Sequence, residues 1–189
     1  NMLGKLEDKQ RIIISGTEGK EEVFNLVNKV LKKLKKPFVS FKAGQHDSTE
    51  IGSEPVAIIL CEVDDLPDYH HHIALITNIK DKGIRDFDRY VRNFEKMVDN
   101  TPKAGSVIYN EDDNISAVIC KKERPDVGAF GFSAPAIKHN NDETIFAVDK
   151  DEIILRDFDD SKALYVNAAY ALLKRLTIQE NDFINVLEK

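Results

Sequence analysis

The sequence predicts an α/β fold: a mainly parallel sheet flanked by helices, with a smaller antiparallel portion beside it. Two observations lead to this prediction. In the first half of the chain, short runs of apolar and β-branched residues alternate with segments of helical periodicity, which is the pattern of parallel strands joined by right-handed crossovers. After Gly105 the apolar runs are shorter and are separated by turn residues, which favours antiparallel strands.

The first strand is predicted at residues 12–15, a largely apolar run that ends at Gly16. A strand that is covered on both faces has this character, whereas a half-exposed strand alternates apolar and polar residues. A helix should follow and end before Pro37, because apolar residues recur there at three- and four-residue spacing. These residues are Val23, Val27, Val30, Leu31 and Leu34. Residues 38–41 should form the second strand, and a polar loop should follow over residues 43–53.

Further strands and a second helix complete the parallel half. Residues 56–60 and 73–76 are apolar runs that are too short and too rich in β-branched side chains for buried helices. Between residues 86 and 98 the apolar side chains form one helical stripe. Its members are Phe87, Tyr90, Val91, Phe94, Met97 and Val98. We therefore expect parallel strand pairing within residues 11–104.

The second half should contain short strands at residues 107–109, 115–120, 128–132, 144–148 and 153–155. Closing helices are predicted from Ser161 to Lys174 and after Thr177, which has the spacing of a capping box with Glu180. A chain of this length should form one domain. Its predicted parts are an N-terminal linker (1–10), a strand/helix half (11–104), antiparallel strands (105–159) and closing helices (160–189).

Composition and charge argue against several classes of function. No stretch of about 18 apolar residues is present to span a bilayer, so we expect no membrane partner. The formal net charge of −6 argues against a nucleic-acid surface, because phosphate binding needs clustered cations. Cys61 and Cys120 each lie in an apolar run, which indicates buried free thiols in a reducing compartment. The N-terminus lacks the features of a secretory signal, so we predict a cytoplasmic protein.

The turn after the first strand has the composition of a phosphate-binding loop. A short G-T-x-G-K pattern is formed by Gly16, Thr17, Glu18, Gly19 and Lys20. Glycines let backbone amides approach phosphate oxygens, and a lysine neutralises the charge of those oxygens. The more general pattern of two glycines five residues apart fails here, because Ile14 occupies the position of the first glycine.

More short motifs follow the glycine turn. They are an acidic loop with Glu62, Asp64 and Asp65, the run Thr77-Asn78-Ile79, the run Asn110-Glu111-Asp112-Asp113, and Asn167-Ala168-Ala169. Together and in this order, the motifs resemble those of the Mur ligase family, the ATP-dependent amide ligases that build the peptidoglycan stem peptide, and of their folylpolyglutamate synthase relatives. The acidic loop is similar to that of the ligase that adds the first alanine. The resemblance extends from Arg11 to Lys189.

This resemblance implies the central, ATP-binding domain of the family, with ATP and Mg²⁺ as cofactors. The residues implied for ATP are Gly16, Thr17, Gly19, Lys20 and Asn167, and those implied for Mg²⁺ are Glu62 and Asp64. A complete Mur ligase also has an N-terminal domain for the uridine nucleotide and a C-terminal domain that delivers the incoming amino acid. We therefore expect either that these domains are supplied elsewhere or that the protein has the middle domain only.

The chain departs from the family pattern at residues that would perform the chemistry. A Ser or Thr normally follows the loop lysine and holds Mg²⁺, but Glu21 and Glu22 follow Lys20 here. Two like charges about 4 Å apart cost roughly 4 kcal/mol at an effective dielectric of about 20, which disfavours a phosphate at this helix N-terminus. The D-H-x-D run is replaced by residues 82–85, and only Asn167 remains of an H-N-x-x-N run. Two alternatives stay open for the glutamates: direct ligation of Mg²⁺, or ordinary first-turn acids on a helix.

The run His70-His71-His72 suggests a metal site. However, adjacent residues of an extended segment point to opposite faces, which argues against ligation by all three side chains. His46 and His139 are too distant in the sequence to be assigned as further ligands. We therefore predict no metal site at these histidines.

Three functions compete on this evidence. In the first, the chain is the ATPase core of an ATP-dependent carboxylate–amine ligase. In the second, it is a degenerate relative that has lost ATP hydrolysis and serves as a binding or scaffolding module in cell-wall metabolism. In the third, it binds another small anionic ligand at the same strand ends. The resemblance names the first function, but the replaced residues favour the second, so we predict no ATP hydrolysis and at best weak nucleotide binding.

Overall fold

The computed structural model of the protein describes residues 2–45, 48–63 and 69–189. The larger sheet contains strands β1 (Gln10–Ser15), β2 (Val39–Lys42), β3 (Val56–Leu60), β4 (Ile73–Ile76), β5 (Ser106–Asn110) and β6 (Gly128–Phe132). The smaller sheet contains β7 (Lys138–Asn140), β8 (Glu143–Ala147) and β9 (Glu152–Arg156). The α-helices are α1 (Met2–Leu6), α2 (Lys20–Lys33), α3 (Phe87–Asp99), α4 (Asn114–Lys121), α5 (Ala163–Arg175) and α6 (Glu180–Glu188).

The larger sheet is parallel throughout, with the strand order β2-β3-β1-β4-β5-β6. The smaller sheet is antiparallel, with the order β7-β8-β9. This architecture confirms the predicted fold class. Because the larger sheet is parallel, the loops that follow β1, β3, β4 and β5 all meet at one edge, where open α/β sheets bind ligands.

Helices cover both faces of the parallel sheet, and the strand β1 contributes to both cores. Ile12 and Ile14 pack into one core with α2, α5, α6 and the small sheet, whereas Ile13 packs into the other core with α1, α3 and α4. Phe146 and Phe94 are fully buried in the first and the second core, respectively. This two-sided burial explains why β1, β3 and β4 have nearly continuous apolar sequences.

The prediction of a strand at residues 115–120 is wrong, because these residues lie in helix α4. Asp113 is the N-cap residue, and its carboxylate accepts a hydrogen bond from the backbone N–H of Ser116. Ile119 and Cys120 are buried, whereas Val118 is 76% exposed, as expected for one apolar face of a helix. An apolar run this short does not distinguish a helix from a buried strand by periodicity.

The predicted extent of the antiparallel half is also wrong. Residues 106–110 and 128–132 form β5 and β6 of the parallel sheet, and α4 provides the crossover that parallel pairing requires. In the part of the chain that the structure describes, antiparallel pairing occurs only within residues 138–156. The expected N-terminal linker contains the short helix α1 and the first residue of β1.

The predicted capping box at Thr177 does not form. Helix α6 has Gln179 as its N-cap residue, and Thr177 has a φ of 65°. Glu180 instead accepts hydrogen bonds from the backbone N–H groups of Lys150 and Asp151 in the turn between β8 and β9. Thr177 and Glu180 have the spacing of a capping box, but the Glu180 side chain bonds to the turn between β8 and β9 instead of capping its own helix.

The expected burial of both cysteine thiols is confirmed. Burial raises the pKa of the Cys61 thiol far above its usual range and that of Cys120 to about 12. Both thiols therefore stay protonated near neutral pH. Across the ranges that the structure describes, no helix is long and apolar enough to cross a membrane.

A buried lysine provides a test of the packing at the amino-terminal edge of the sheet. The Lys9 side chain has 0% exposure, and its ammonium group donates hydrogen bonds to the backbone carbonyls of Gly52 and Glu54. We expect Lys9→Ala to lower the free energy of unfolding by about 2–3 kcal/mol, because two hydrogen bonds from a charged donor are lost and the packed side-chain stem is removed. Urea denaturation measures this loss. The exposed Lys36 offers a matched control, whose Ala variant should stay within about 0.5 kcal/mol, and an equally small effect at Lys9 would contradict the prediction.

Candidate functional site

The glycine turn lies at the carboxyl-terminal edge of the parallel sheet, between β1 and α2. Gly16 and Gly19 have φ values of 142° and 85°, a region that glycine adopts far more easily than other residues. Gly16 is also crowded, because a Cβ atom there would lie 1.9 Å from Oγ1 of Thr77. These glycines therefore serve the shape of the turn, whatever ligand the turn binds.

The Thr77-Asn78 segment after β4 supports the glycine turn. The backbone N–H of Thr17 donates to the carbonyl of Asn78 at 3.0 Å, and that of Glu18 donates to the side-chain Oδ1 of Asn78 at 2.9 Å. The Thr77 and Asn78 side chains are both buried. In this chain, the T-N-I motif therefore fixes the position of the turn.

Lys20 of the turn is buried and is paired with carboxylates of the same chain. Its Nζ atom lies 3.0 Å from Oε1 of Glu62 and 3.5 Å from Oε1 of Glu21. Burial opposes the charge on Lys20, but the hydrogen bond and the attraction of Glu62, followed by those of Glu21, raise its pKa. Lys20 is therefore a cation whose charge is already compensated. Asp64, the other residue implied for Mg²⁺, lies outside the described residues.

Glu22 occupies the position at the N-terminus of α2 where an anion is favoured. Its carboxylate accepts a hydrogen bond from Nζ of Lys162 at 3.0 Å and another from its own backbone N–H. The hydrogen bond from Lys162, followed by that from the backbone, lowers the pKa of Glu22. Positive helix N-termini attract phosphates and carboxylates alike. Glu22 thus provides an intramolecular carboxylate at this end of the helix.

Tyr165 lies directly against the second glycine of the turn. A Cβ atom placed on Gly19 would be 2.2 Å from Cε1 of Tyr165 and 2.7 Å from its hydroxyl oxygen. Nζ of Lys162 lies 6.0 Å from the centre of the same ring. The space beside Gly19 is therefore filled by an aromatic ring of helix α5.

These contacts determine whether the turn has space and free charge for a triphosphate and Mg²⁺. The backbone shape fits, but the arrangement around it does not. Tyr165 fills the space beside Gly19, Lys20 is paired with Glu62, and a carboxylate replaces the hydroxyl that would hold the metal. Across the described ranges, no group of three or more His, Cys, Asp or Glu side chains could hold a metal ion.

Asn167, expected beside the adenine, joins three parts of the structure. Its side-chain amide donates hydrogen bonds to the carbonyl of Ser133 at 3.4 Å and to that of Ala147 at 3.3 Å, while Oδ1 is buried without a partner in the described structure. These contacts tie α5 to the segments after β6 and at the end of β8. A cavity of about 490 Å³ lies beside them. The adenine-binding role of Asn167 stays a prediction.

The Asn110–Asp113 motif also makes supporting contacts. The Asn110 side chain donates to the carbonyl of Thr77 at 3.1 Å and accepts from the backbone N–H of Asp112 at 2.9 Å. The Asp113 carboxylate caps α4 and accepts from the backbone N–H of Ile79 at 2.8 Å. These residues therefore hold the loops after β4 and β5 together.

Two basic residues of the loop after β4 flank the glycine turn, and one of them, Lys82, lies in the segment that replaces the family's D-H-x-D run. Nζ of Lys82 lies 2.8 Å from the Glu18 carboxylate, and Nζ of Lys80 lies 3.6 Å from it. The Thr17 hydroxyl lies 2.9 Å from the Tyr90 hydroxyl. Sequence reasoning missed Lys80 and Tyr90, as well as Lys162 and Tyr165, because no motif connects them to the turn.

The histidines occupy separate environments. Nε2 of the buried His71 lies 2.9 Å from the Thr101 hydroxyl, and Nδ1 of His72 accepts from the backbone N–H of Arg11. Burial, followed by the charge of Arg11, lowers the pKa of His72. His139 contacts Asp160 on another part of the surface, and His46 lies outside the described residues.

Comparisons with known proteins agree with this architecture. No protein-family model matches the chain. The UDP-N-acetylmuramate–L-alanine ligase of Caldicellulosiruptor bescii is 29% identical over 163 residues, which cover 72% of this chain and 36% of that ligase. MurF from Acinetobacter baumannii superposes with a TM-score of 0.80 at 15% identity, covering 99% of this chain and 47% of that chain.

Two structures from Thermotoga maritima are also similar. The UDP-N-acetylmuramate–alanine ligase MurC gives a TM-score of 0.72 at 23% identity, covering 99% of this chain and 46% of that chain. A MurF ligase in complex with ADP gives a TM-score of 0.78 at 13% identity, covering 99% of this chain and 50% of that chain. The predicted resemblance is therefore confirmed, and the chain spans half the length of these proteins or less.

The Glu22–Lys162 contact gives a prediction that pH titration can check. Because the folded-state pKa of Glu22 is lowered, its stabilising contact should be complete above the ordinary value of 4.5 and should be lost as the pH falls through the lowered pKa. We expect Lys162→Met to raise the pKa of Glu22 toward 4.5. Side-chain carboxyl NMR titration measures this value.

The matched control for this experiment is Lys174→Met. Lys174 pairs with Asp149 at the other end of α5, so its loss should leave the titration of Glu22 unchanged. A pKa of Glu22 that is already ordinary in the unmodified protein, or that does not rise in Lys162→Met, would contradict the assigned contact.

Proposed function

We propose, from the chain's resemblance to the ATP-binding central domain of the Mur ligases, that it is a degenerate form of this domain that does not hydrolyse ATP. We further propose that it acts as a non-catalytic binding or scaffolding module in cell-wall metabolism. The observation that supports the proposal is the pairing of Lys20 with Glu62 and Glu21 at 3.0 and 3.5 Å. The loop cation that would bind phosphates is thus neutralised by the chain itself.

Binding of a triphosphate would require several contacts to break together. Lys20 would have to leave Glu62, and Tyr165 would have to move away from Gly19. The carboxylates of Glu21 and Glu22 would then lie near the incoming phosphates. A single like-charge pair about 4 Å apart costs roughly 4 kcal/mol at an effective dielectric of about 20, which corresponds to a loss of roughly a thousandfold in affinity. These costs support weak or absent nucleotide binding.

The ligase activity of the whole relatives is a second candidate. It is favoured by the positive φ values of Gly16 and Gly19 and by the position of Lys20 at the start of α2, a backbone arrangement suited to phosphates. The MurF ligase of Thermotoga maritima was solved in complex with ADP. In this alternative, other domains hold the substrates, and Glu62 leaves Lys20 to ligate Mg²⁺. A third candidate, binding of another small anion, requires the same release of Lys20.

Calorimetric titration with ATP and Mg²⁺ tests the proposal. We expect no measurable binding by the unmodified chain at about 1 mM ATP, and no ATP turnover. The double variant Glu21→Thr/Glu22→Thr removes the local carboxylates and supplies hydroxyls after Lys20. It should bind at least about tenfold more tightly than the unmodified chain, because a repulsion of several kcal/mol is removed.

Two variants control this experiment. Lys20→Ala should abolish any binding that the double-threonine variant gains, whereas Lys36→Ala, an exposed lysine beyond the end of α2, should not affect it. Micromolar ATP binding by the unmodified chain that is lost in Lys20→Ala, or Mg²⁺-dependent turnover, would contradict the proposal and favour the ligase core. Binding of inorganic phosphate or citrate without ATP binding would favour the third candidate.

A further inference from the structure

Strand β6 is an edge strand, and its backbone has one open side. Its partner is β5, on the inner side of the sheet. The N–H of Gly128 donates to the carbonyl of Gly105, and the carbonyl of Phe132 accepts from the N–H of Glu111. In a parallel pair, alternate residues bond to the same neighbour, so the backbone groups of Ala129 and Gly131 point away from β5.

This edge lacks the usual protection against strand pairing. Protective edges carry charged side chains, proline or a bulge. The sequence of β6 is Gly-Ala-Phe-Gly-Phe, without a charge or a proline. Residues 129–131 are exposed, and Phe130 retains 36% of its surface.

The carboxylate nearest to Gly131 is that of Glu111 in the loop that follows β5, because a Cβ atom on Gly131 would lie 2.1 Å from its Oε1. Successive residues of a strand point to opposite faces, so this carboxylate lies on the face opposite to Phe130. On the Phe130 face the strand presents small or apolar side chains beside exposed backbone donors and acceptors.

A cavity beside this edge can receive the side chains of an added strand. It has a volume of about 490 Å³ and lies between β6, the end of β8 and the carboxyl-terminal half of α5. Phe130 and Tyr170 contribute aromatic walls. Because strand side chains alternate between faces, every second residue of a strand added to β6 would point toward this cavity.

The charge at the cavity favours an anionic occupant. The Arg175 guanidinium stacks on the Phe130 ring at 4.0 Å from its centre, and the residue is half-buried. Among the described residues Arg175 has no ion-pair partner, whereas the neighbouring Lys174 is paired with Asp149 at 3.0 Å. Arginine binds carboxylates well through its planar donor fork while it stacks on an aromatic ring.

This region is separate from the glycine turn. Arg175 lies ten residues after Tyr165 on α5, which is about 15 Å along the axis at about 1.5 Å per residue. The β6 edge is therefore distant from the glycine turn, although Asn167, the residue expected beside the adenine, lines the same cavity.

We propose that an extended acidic peptide segment of a partner protein binds by adding a strand to the open edge of β6. Its backbone pairs with Ala129 and Gly131, and the side chains on its cavity-facing side are apolar except for one carboxylate, which binds Arg175. The proposal goes beyond the non-catalytic role by naming a surface and the chemistry of its partner.

Charge also distinguishes this occupant from a second copy of the chain. If two β6 strands paired antiparallel about Phe130, the two Phe130 side chains would lie opposite each other on one face. The two Arg175 guanidinium groups, each stacked on its Phe130, would then be neighbours. Like charges placed opposite each other in a sheet are destabilising. An acidic segment removes this repulsion and supplies the missing counter-charge.

Binding can be measured with a fluorescein-labelled heptapeptide Thr-Val-Thr-Glu-Thr-Val-Thr, whose two valines and glutamate lie on one face of a strand. We expect saturable binding that weakens with added salt, and slower hydrogen exchange at the amides of Ala129 and Gly131. The same peptide with lysine in place of the glutamate should bind at least about tenfold more weakly. Arg175→Gln should weaken binding of the acidic peptide about tenfold and reduce its salt dependence.

Proline variants test the edge itself. Ala129→Pro removes an outward N–H and leaves the pairing with β5 intact, so it should abolish peptide binding while circular dichroism remains unchanged. Ser40→Pro is the matched control on β2, the opposite edge strand. Its outward position follows from the hydrogen bond between the N–H of Ala43 and the carbonyl of Leu60. Ser40→Pro should bind like the unmodified protein.

Three results would overturn the proposal. The first is no binding of the acidic peptide at about 1 mM. The second is equal binding of the lysine peptide, or binding that survives in a folded Ala129→Pro variant. The third is a dimer in light scattering that Ala129→Pro dissociates, which would assign the edge to a second copy of the chain.

Discussion

The structure depends on the burial of strand β1 from both sides. Ile12 and Ile14 face one core and Ile13 faces the other, and all three side chains are at most 2% exposed. A strand in this position needs helices on both faces, and short parallel strands need crossovers that provide such helices. The same requirement brings the loops after β1, β3, β4 and β5 to one edge. The candidate site is therefore a consequence of packing as much as of chemistry.

The residues that match the family motifs divide into two physical groups. Thr77, Asn78 and Asn110 form hydrogen bonds between loops, and Gly16 has no space for a Cβ atom. Loss of any of them would cost stability whether or not a nucleotide binds. The positions that depart from the family would act on phosphate, metal or substrate, and these carry Glu21, Glu22 and residues 82–85 instead. This division is expected if the fold is required while the chemistry is not.

The sequence was sufficient to predict most of the parallel sheet, because buried parallel strands and amphipathic helices have distinct periodicities. It failed at residues 115–120, where one short apolar run suits either a strand or a helix and the cap at Asp113 decides. It also failed at Thr177, because the spacing to Glu180 carries no information about the tertiary contact of Glu180 with Lys150. The contacts between side chains of the candidate site were also not predictable, because they join residues that are distant in the sequence.

Lys20 illustrates that limit. The sequence placed it at the start of a helix after a glycine turn, and the structure agrees. Its pairing with Glu62 depends on the register between β1 and β3. The contact of Tyr165 with Gly19 depends on how α5 packs on α2. Neither contact follows from local sequence. A motif therefore predicts the backbone shape of a site more reliably than its electrostatic state.

Helix α5 contacts the glycine turn near its amino-terminal end and the β6 edge near its carboxyl-terminal end. The charges at these two ends are balanced differently. At its amino-terminal end Lys162 pairs with Glu22 and Tyr165 fills the space at Gly19, so a ligand would have to displace interactions that already exist. At its carboxyl-terminal end Arg175 is stacked on Phe130 beside a cavity and an open strand edge, so a ligand would add interactions without breaking any of those described. The free energy of binding is what remains of the favourable interactions with the ligand after the cost of displacing existing ones is subtracted. For the ligands proposed above, this balance is more favourable at the β6 edge than at the glycine turn.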